Sequence, residues 1–490
     1  MLKKQVTKLF KGTAIYGLGS IANKFLSFFL LPIFTAYLTP SDYGIIAMLG
    51  FITFLASPVF LLGFGTSKGV VYYESEDNSW KSSVTWSAFV ILIGSVTLLI
   101  ISGFLLSKEL SLWLLKDAKY SLYIKLHLIT TSFNILTNPF ILRLQFEQKA
   151  KSYVIASTSG ALSIILFNVL FVVVLQYGVF GWVIGSLIGQ IFGFFLFLLF
   201  VVKGTPFKIN KTVSARLLKF GFPMIPSFIF LFAIEHSGKY FFQMFHELDG
   251  LGLYNIGANF GNIMLLPVSA FSTAWYPYFQ SYINNKEEAK LLFGQIFYYY
   301  LAGFGFLAVC FFLFAKPAIL LFTQESFHLA FQIVGILALG QFFVGVFNNF
   351  LVGVYYAKKV YLISVVQFVS AAIVVSLNYF LIPLYGFTII AVIVTIGFGT
   401  MSIFMQWVNV KQKLWQPIYN WPKIMLLIIN YGVVICIVYI ASMTLSTTIY
   451  LLLTPVFLIG TLALIWLNFS KKERNTVLAS ISKLKKKYTS

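Results

Sequence analysis

The stretch ILIGSVTLLIISGFLL, residues Ile91–Leu106, runs for sixteen residues without a charged side chain. Further along, VIGSLIGQIFGFFLFLLFVV, residues Val183–Val202, continues for twenty residues in the same way. A helix needs about 20 mostly apolar residues to cross the hydrocarbon core of a bilayer. A transmembrane β-barrel would instead show alternating segments of about ten residues. These continuous apolar runs therefore predict membrane-spanning helices.

The composition of the whole chain supports this interpretation. Of its 490 residues, 59% are apolar and 10% are charged, whereas soluble domains contain about 25% charged residues. A single soluble core stops growing at about 250–300 residues, so the apolar excess must face lipid. We predict an all-α integral membrane protein with about fourteen transmembrane helices, the first of them uncleaved, at residues 12–37, 44–65, 83–106, 118–142, 153–176, 179–202, 219–242, 253–275, 292–314, 328–353, 361–383, 387–409, 424–446 and 448–468.

Lys and Arg are distributed unevenly between the two sides of this topology. Of the 35 such residues, 28 fall on the side that holds both termini, and only Lys108, Lys116, Lys119 and Lys316 fall in loops on the other side. Cytoplasmic loops carry an excess of Lys and Arg. We therefore predict a multi-pass protein of the bacterial cytoplasmic (inner) membrane with both termini in the cytoplasm. The net charge of +21 is then explained by membrane topology and by attraction to anionic membrane lipids. We therefore predict no nucleic-acid partner.

A weak internal repeat appears when the sequence is shifted by 208 residues. Lys151-Ser-Tyr153 then meets Lys359-Val-Tyr361, and Tyr177-Gly178 meets Tyr385-Gly386. Coincidence among recurrent Lys and Tyr residues is the alternative. Because six helices return the chain to the same side, the repeats would be parallel lobes around a central cavity. The predicted domains are a six-helix lobe at 1–202, a second at 203–410, two appended helices at 411–468 and a basic cytoplasmic tail at 469–490.

Three lysines lie away from the ends of the predicted spans, where a charge costs about 2.5–3.5 kcal/mol. Lys24 is about 18 Å of helix from Gly12, too far for its side chain to reach the interface easily. We predict that Lys24, Lys125 and Lys239 bind an anionic substrate head group. For Lys125, which is nearer the outer surface, extension of the side chain to the interface is an equal alternative.

The only acidic residue inside a predicted span is Glu235, which is followed by His236. We predict that these two side chains couple transport to an ion gradient. Two alternatives remain: Glu235 and Lys239, four residues apart, could form a self-neutralising intrahelical pair, and His236 could be buried by packing.

Several asparagines share helix faces within the predicted spans, which favours a wet interior, although hydrogen bonding between helices explains them equally well. The candidate cavity residues are Asn134, Asn138, Asn255, Asn259 and Asn262. The sequence offers no nucleophile–base arrangement and no metal-ligand spacing, since Cys310 and Cys436 both fall in apolar runs. We therefore predict neither catalytic residues nor a metal site nor a cofactor.

Short motifs along the whole chain resemble those of a known family. The corner Leu38-Thr39-Pro40-Ser41-Asp42-Tyr43-Gly44 resembles the L-[ST]-x-x-[DE]-[FY]-G corner of the bacterial polysaccharide flippases, which belong to the multidrug/oligosaccharidyl-lipid/polysaccharide exporter superfamily. Four later segments are similar to further landmarks of that family: Gly221-Phe222-Pro223, Gly252-Leu253-Tyr254, the loop Tyr355–Lys359 and the stretch from Asn378 to Gly386. Each motif is short, so the resemblance rests on all of them together.

The resemblance implies a flippase that moves undecaprenyl-diphosphate-linked oligosaccharide units, for O-antigen or a similar polysaccharide, from the cytoplasmic to the outer leaflet by alternating access. It also implies that polysaccharide polymerase and chain-length machinery are partners, that Lys24 matches a cavity cation of the first helix, and that Asp42 lies at a gate corner. The chain departs from the pattern at Gly238, where the family commonly has an Asp before the basic residue. Glu235, one turn earlier, is the candidate substitute.

Other classes of function remain open on the sequence. A drug or cation exporter of the same superfamily would favour acids in the cavity, whereas here lysines outnumber acids three to one. A membrane polysaccharide polymerase or ligase would favour a large outer loop with clustered acids. Glu109 and Asp117 instead stand isolated on a short loop, where structural charge is the better interpretation. A channel or scaffold is not excluded.

Overall fold

The computed structural model describes residues 30–75, 77–147, 149–246, 248–282, 285–469 and 474, and all regular structure in these ranges is helical. The α-helices, in chain order, are α1 (Leu31–Tyr37), α2 (Pro40–Phe60), α3 (Phe64–Tyr72), α4 (Asn78–Leu105), α5 (Ser107–Leu115), α6 (Ser121–Phe146), α7 (Ala150–Asn168), α8 (Gly178–Val202), α9 (Lys211–Gly221), α10 (Ile225–Phe245), α11 (Leu248–Gly261), α12 (Leu265–Ser281), α13 (Lys286–Phe322), α14 (Phe331–Phe350), α15 (Val352–Tyr356), α16 (Tyr361–Leu381), α17 (Thr388–Lys411), α18 (Trp421–Thr444) and α19 (Thr447–Asn468).

Eleven helical segments within the described residues are long and apolar enough to cross a membrane. The prediction of about fourteen exceeds this number by three. The predicted span 12–37 lies mostly outside the described residues. The spans 118–142 and 253–275 correspond to α6 and to α11–α12, which are helical but carry the polar side chains noted above. The chain is therefore a multi-pass α-helical membrane protein, with eleven spans supported by length and composition.

The helices pack into two compact units. Unit 1 consists of the described residues up to Ile256, together with Phe322–Phe327 and Gln367–Ile393. Unit 2 consists of Gly257–Leu321, His328–Val366 and the described residues from Val394 onward. Sequence repeats are defined by correspondence along the chain rather than by packing, so the predicted domain boundaries stay a prediction.

Helix starts do recur at the offset found in the sequence. Pro40 begins α2 and Leu248 begins α11, 208 residues later. Asn78 begins α4 and Lys286 begins α13 at the same separation. This regularity agrees with a repeat of six spans.

In unit 1, α7 and α8 pack closely along a line of glycines. Gly181, Gly185, Gly189 and Gly193 recur every four residues and therefore share one face of α8. A methyl group at Gly189 would collide with Ile164 of α7, and the Ser163 hydroxyl donates to the Gly189 carbonyl at 3.1 Å. Small residues allow helix backbones to approach in this way inside membranes.

In unit 2, the last two helices are attached to α13 by polar side chains. Lys316 of α13 donates to the carbonyls of Ser442 and Leu445, at 2.9 and 3.0 Å, at the C-terminal end of α18. The hydroxyl of Tyr450, fully buried on α19, donates to the Leu313 carbonyl at 3.0 Å. A cation at a helix C-terminus is favourable because the last carbonyls there lack helical partners.

Candidate functional site

The corner motif begins α2 with a capping box. The backbone N–H and the hydroxyl of Thr39 both donate to Asp42 Oδ2, at 2.9 and 2.8 Å, and the Asp42 N–H donates to the Thr39 hydroxyl at 3.2 Å. Such reciprocal bonds satisfy N–H groups that a helix start leaves free. Asp42 therefore has a structural role as a helix cap, while its predicted role at a gate stays a prediction.

The corner motif also meets one of the later landmarks in space. A methyl group at Gly44 would overlap the carbonyl oxygen of Leu248, and one at Gly252 would overlap the carbonyl oxygen of Pro40. Both glycines are thus required by a backbone-to-backbone contact between α2 and α11. Two segments that the sequence suggested separately, Leu38–Gly44 and Gly252–Tyr254, form one packing interface within unit 1.

A second contact of this kind lies at the other end of α2. Gly63 follows α2 with φ of +68°, a conformation that favours glycine. A side chain at Gly63 would overlap the Gly221 carbonyl, and a side chain at Gly221 would overlap the Leu62 carbonyl. The Gly221-Phe222-Pro223 landmark therefore fixes the entry to α10 beside the end of α2.

The structure brings together three of the predicted site residues on α10. The carboxylate of Glu235 lies 3.5 Å from Nε2 of His236. The ammonium of Lys239 lies 5.8 Å from the ring centroid of Phe54 and 5.9 Å from that of Tyr254. Lys239 is only 7% exposed. Its ammonium lies over two aromatic rings, whose negative faces attract cations. The side chains of Glu235 and His236 thus contact each other, while Lys239 is held by rings of α2 and α11.

Glu235 is the exposed member of this group, with 39% of its side chain accessible. It lies near the middle of α10, inside one of the eleven membrane-spanning segments. A carboxylate cannot face hydrocarbon at such a position without a large cost. We therefore expect the face of α10 that carries Glu235 to border polar groups or water.

Aromatic side chains line the same face of α10. Phe54 of α2 stacks on His236 with ring centroids 4.1 Å apart. One turn further along α10, Tyr240 accepts a hydrogen bond of 3.0 Å from the indole of Trp113. The sequence did not single out these rings, because 55 Phe and 27 Tyr residues occur in the chain and no spacing distinguishes these.

Lys125 lies elsewhere in unit 1. It is half-buried on α6, with its ammonium 5.9 Å from the ring centroid of Phe104 on α4. Two residues on, His127 shares a hydrogen bond of 2.8 Å with Thr53 of α2, and Thr53 also bonds Thr131 at 2.7 Å. Hydrogen bonding by His127 thus links α6 to α2. The role of Lys125 in substrate binding stays a prediction.

The candidate asparagines have mixed surroundings. Asn134, Asn259 and Asn262 are exposed, whereas Asn138 and Asn255 are half-buried. Asn262 accepts a hydrogen bond of 3.1 Å from Gln341 within unit 2, which is the interhelical bonding that the sequence left as an alternative. The Asn138 side-chain oxygen is buried without a hydrogen-bond partner in the described structure.

The remaining predicted site residue, Lys24, lies outside the described residues, so its role stays a prediction.

The structure adds a buried cationic cluster that the sequence did not indicate. Lys68 of α3 is fully buried and donates to the Pro139 carbonyl of α6. Arg143, also buried, pairs with Glu147 and lies 5.4 Å from the ring centroid of Tyr72. Because Lys68 and Arg143 fall in predicted loops, the sequence analysis counted them only among the lysines and arginines that set the topology.

Asp117, predicted to lie in an outer loop, has a structural role. Asp117 accepts a hydrogen bond of 2.9 Å from the Lys119 backbone N–H and forms an ion pair of 2.9 Å with the Lys119 ammonium. These contacts, the backbone bond first, lower the pKa of the Asp117 carboxyl. Asp117 thereby caps the start of a short 3₁₀ turn at Ala118–Tyr120.

Comparison with known proteins identifies the family. The model of the polysaccharide biosynthesis protein family matches residues 9–283, more than half of the chain. The chain belongs to this family. A relative from Haemophilus influenzae, described as Lsg locus putative protein 1, is 25% identical over 291 residues, covering 57% of this chain and 68% of that protein.

Solved structures establish the fold. The lipid II flippase MurJ in its inward closed conformation matches with a TM-score of 0.72 at 15% identity, covering 95% of this chain and all of that one. An inward-facing multidrug resistance MATE family transporter of the MOP superfamily matches with a TM-score of 0.64 at 14% identity, covering 82% and 94%. This member of the polysaccharide biosynthesis family therefore has the fold of flippases and transporters, not of membrane enzymes.

Proposed function

We propose that this protein is a flippase that carries undecaprenyl-diphosphate-linked oligosaccharide units across the bacterial cytoplasmic membrane by alternating access. The family, the transporter fold and the cationic residues within the spans all support this function. The finished units would supply a polysaccharide polymerase and its chain-length machinery on the outer side. Both termini would lie in the cytoplasm.

One observation supports this proposal above the others: the buried Lys239 ammonium lies over the rings of Phe54 and Tyr254, with the Glu235 charge close enough to interact with it electrostatically but with no ion pair within 4 Å among the described residues. A cation kept in this way remains available to an anion that enters the site. A diphosphate group needs such a cation to leave the aqueous leaflet, while its polyprenyl chain stays in lipid. Lys24 and Lys125 are the other proposed head-group cations.

Glu235 and His236 are the proposed coupling residues. The Glu235 side chain is 39% accessible and its carboxylate lies 3.5 Å from the imidazole, which would allow a proton or a sodium ion to reach it from an open cavity. Uptake of such an ion beside Lys239 would change the net charge of the site. Release of the anionic head group would thereby depend on the ion gradient.

Deletion of the gene tests the proposal directly. We expect complete lipid-linked repeat units to accumulate on the cytoplasmic leaflet, because assembly precedes translocation. Leaflet-specific labelling of the lipid-linked sugars would measure this. Accumulation on the outer leaflet would contradict a flippase and would indicate a polymerase or ligase.

A cation exporter is the second candidate, favoured by the exposed Glu235 carboxylate and by the likeness in fold to a multidrug transporter. The same deletion strain distinguishes the two. An exporter would leave the lipid-linked sugars unchanged while the cells accumulate a cationic dye and become more sensitive to it.

A further inference from the structure

The aromatic rings beside Glu235 are arranged as a continuous series on α10 and its neighbours. Phe232, His236 and Tyr240 are spaced four residues apart and therefore lie on one face of α10. Phe51 of α2 packs against both Phe232 and Tyr240, with centroids 5.2 and 6.4 Å away. The series ends in two rings from outside α10, Phe54 and Trp113.

The two end rings are open, unlike the rings between them. Phe54 is 48% exposed and Trp113 is 52% exposed. Phe54 rests on His236, with an interplanar angle of 17°. Trp113 is held by its hydrogen bond to Tyr240. Both rings are thus fixed in orientation by contacts on one side while much of their surface remains accessible.

These exposed rings stand beside charged groups, which distinguishes the face from one that contacts lipid. Glu235 is next to His236 in the chain, and 39% of its side chain is accessible on the same stretch of α10. The Lys239 ammonium lies 5.8 Å from the Phe54 ring centroid. The face therefore combines flat apolar surfaces, a hydrogen-bond acceptor and a cation within about two helical turns.

We infer that Phe54, stacked on His236 and flanked by Glu235, binds a sugar ring of the transported unit, with Trp113 on Tyr240 as a second stacking surface. A sugar ring presents C–H groups on its face, and these are attracted to the negative face of an aromatic ring. Its hydroxyls need hydrogen-bond acceptors at the edge, which Glu235 supplies. The inference rests on the proposed function, because it assigns the carbohydrate part of the same substrate to these rings and the diphosphate to Lys239.

Two ligands separate the two parts of the site: undecaprenyl diphosphate, and the same lipid carrying the oligosaccharide unit. Binding of each to the purified full-length protein in lipid nanodiscs would be measured. We expect Phe54→Leu to weaken binding of the glycosylated lipid by about five- to tenfold more than binding of undecaprenyl diphosphate, because Lys239 keeps its contact with the Tyr254 ring. Lys239→Met should weaken both. Phe195→Leu, which removes an equally exposed ring from α8, should change neither.

A second variant protects the test against misfolding. Phe54→Trp keeps a flat ring at the position, so it should retain binding of the glycosylated lipid, and each variant should elute as a monodisperse species in detergent. The inference is overturned if the wild type binds both lipids and Phe54→Leu weakens both equally or neither. A wild-type protein that binds neither lipid would overturn the proposed function itself.

Discussion

Glu235 and Lys239 stand one turn apart on α10, but they differ in what surrounds them. The carboxylate is exposed and contacts His236, whereas the ammonium is enclosed by Phe54 and Tyr254. The two charges form no ion pair within 4 Å among the described residues, yet they interact electrostatically, so the self-neutralising pair stays an alternative. In the proposed function, the anion binds an ion from solution and the cation binds the substrate.

Glu235→Gln tests the coupling role. We expect polysaccharide export to fall by about tenfold or more and the remaining export to become insensitive to ionophores, because the neutral amide cannot take up a proton and lacks the charge that attracts a sodium ion. Surface polysaccharide with and without an ionophore would measure both effects. Glu109→Gln, an exposed acid on α5, is the matched control and should leave export normal. Ionophore-sensitive export at the normal level in Glu235→Gln would contradict the coupling role.

The sequence could identify charged candidates because charges are rare inside membrane spans. It could not identify their neutral partners: Phe54 and Tyr254 became visible only when α2, α10 and α11 were placed together. For Asp42, the sequence motif implied a role at a gate but did not reveal the helix cap that the structure shows. Lys68, assigned by its position to a cytoplasmic loop, proved to be fully buried.

At the scale of helices, α2 is defined by contacts at its two ends. The predicted span 44–65 misses the true start at Pro40 because the capping box of Thr39 and Asp42 begins the helix earlier. It overshoots the end at Phe60, where Leu62 and Gly63 take left-handed conformations. Caps and glycines set helix limits, whereas hydropathy reports only which residues can lie in lipid.

Gly44→Ala should disrupt the contact between α2 and α11, because the added methyl group would overlap the Leu248 carbonyl. Overpacking of this kind costs about 1–3 kcal/mol, and a backbone neighbour cannot rotate away. We expect a lower midpoint of thermal unfolding in detergent. Gly50→Ala on the same helix meets nothing within 4 Å and should be neutral or raise the midpoint, since alanine favours helix over glycine by about 1 kcal/mol. Equal midpoints for the two variants would contradict this account.

At the scale of the whole chain, the apolar helices were readable from the sequence but their packing partners were not, and the repeat stays a prediction. The repeat assigns α10 to the second half, yet α10 packs in unit 1 with α2, at the Gly63–Gly221 contact. Such partners depend on surface shape between helices far apart in sequence, which hydropathy does not encode. Eleven of the predicted spans are supported by length and composition; two of the others carry polar side chains, and the span 12–37 lies mostly outside the described residues.

The topology itself predicts the outcome of reporter fusions. A phosphatase that is active only outside the cytoplasm should be active when fused after Gln324, between α13 and α14, and inactive after Lys413, between α17 and α18. The 28-to-4 bias of Lys and Arg provides the physical reason. A cytoplasmic reporter at the same two positions should give the reverse pattern. Activity of the phosphatase at Lys413 would show that the orientation is inverted.

The attachment of α18 and α19 to α13 has a consequence for biogenesis. The ribosome makes α13 well before Ser442, Leu445 and Tyr450, so a nascent chain presents the Lys316 ammonium before its carbonyl acceptors exist. Until α18 and α19 are inserted, that ammonium has to be solvated at the membrane surface. Docking of these two helices thereby exchanges solvent contacts of a cation for two backbone carbonyls, and chains that lack the pair would keep an ammonium without these acceptors.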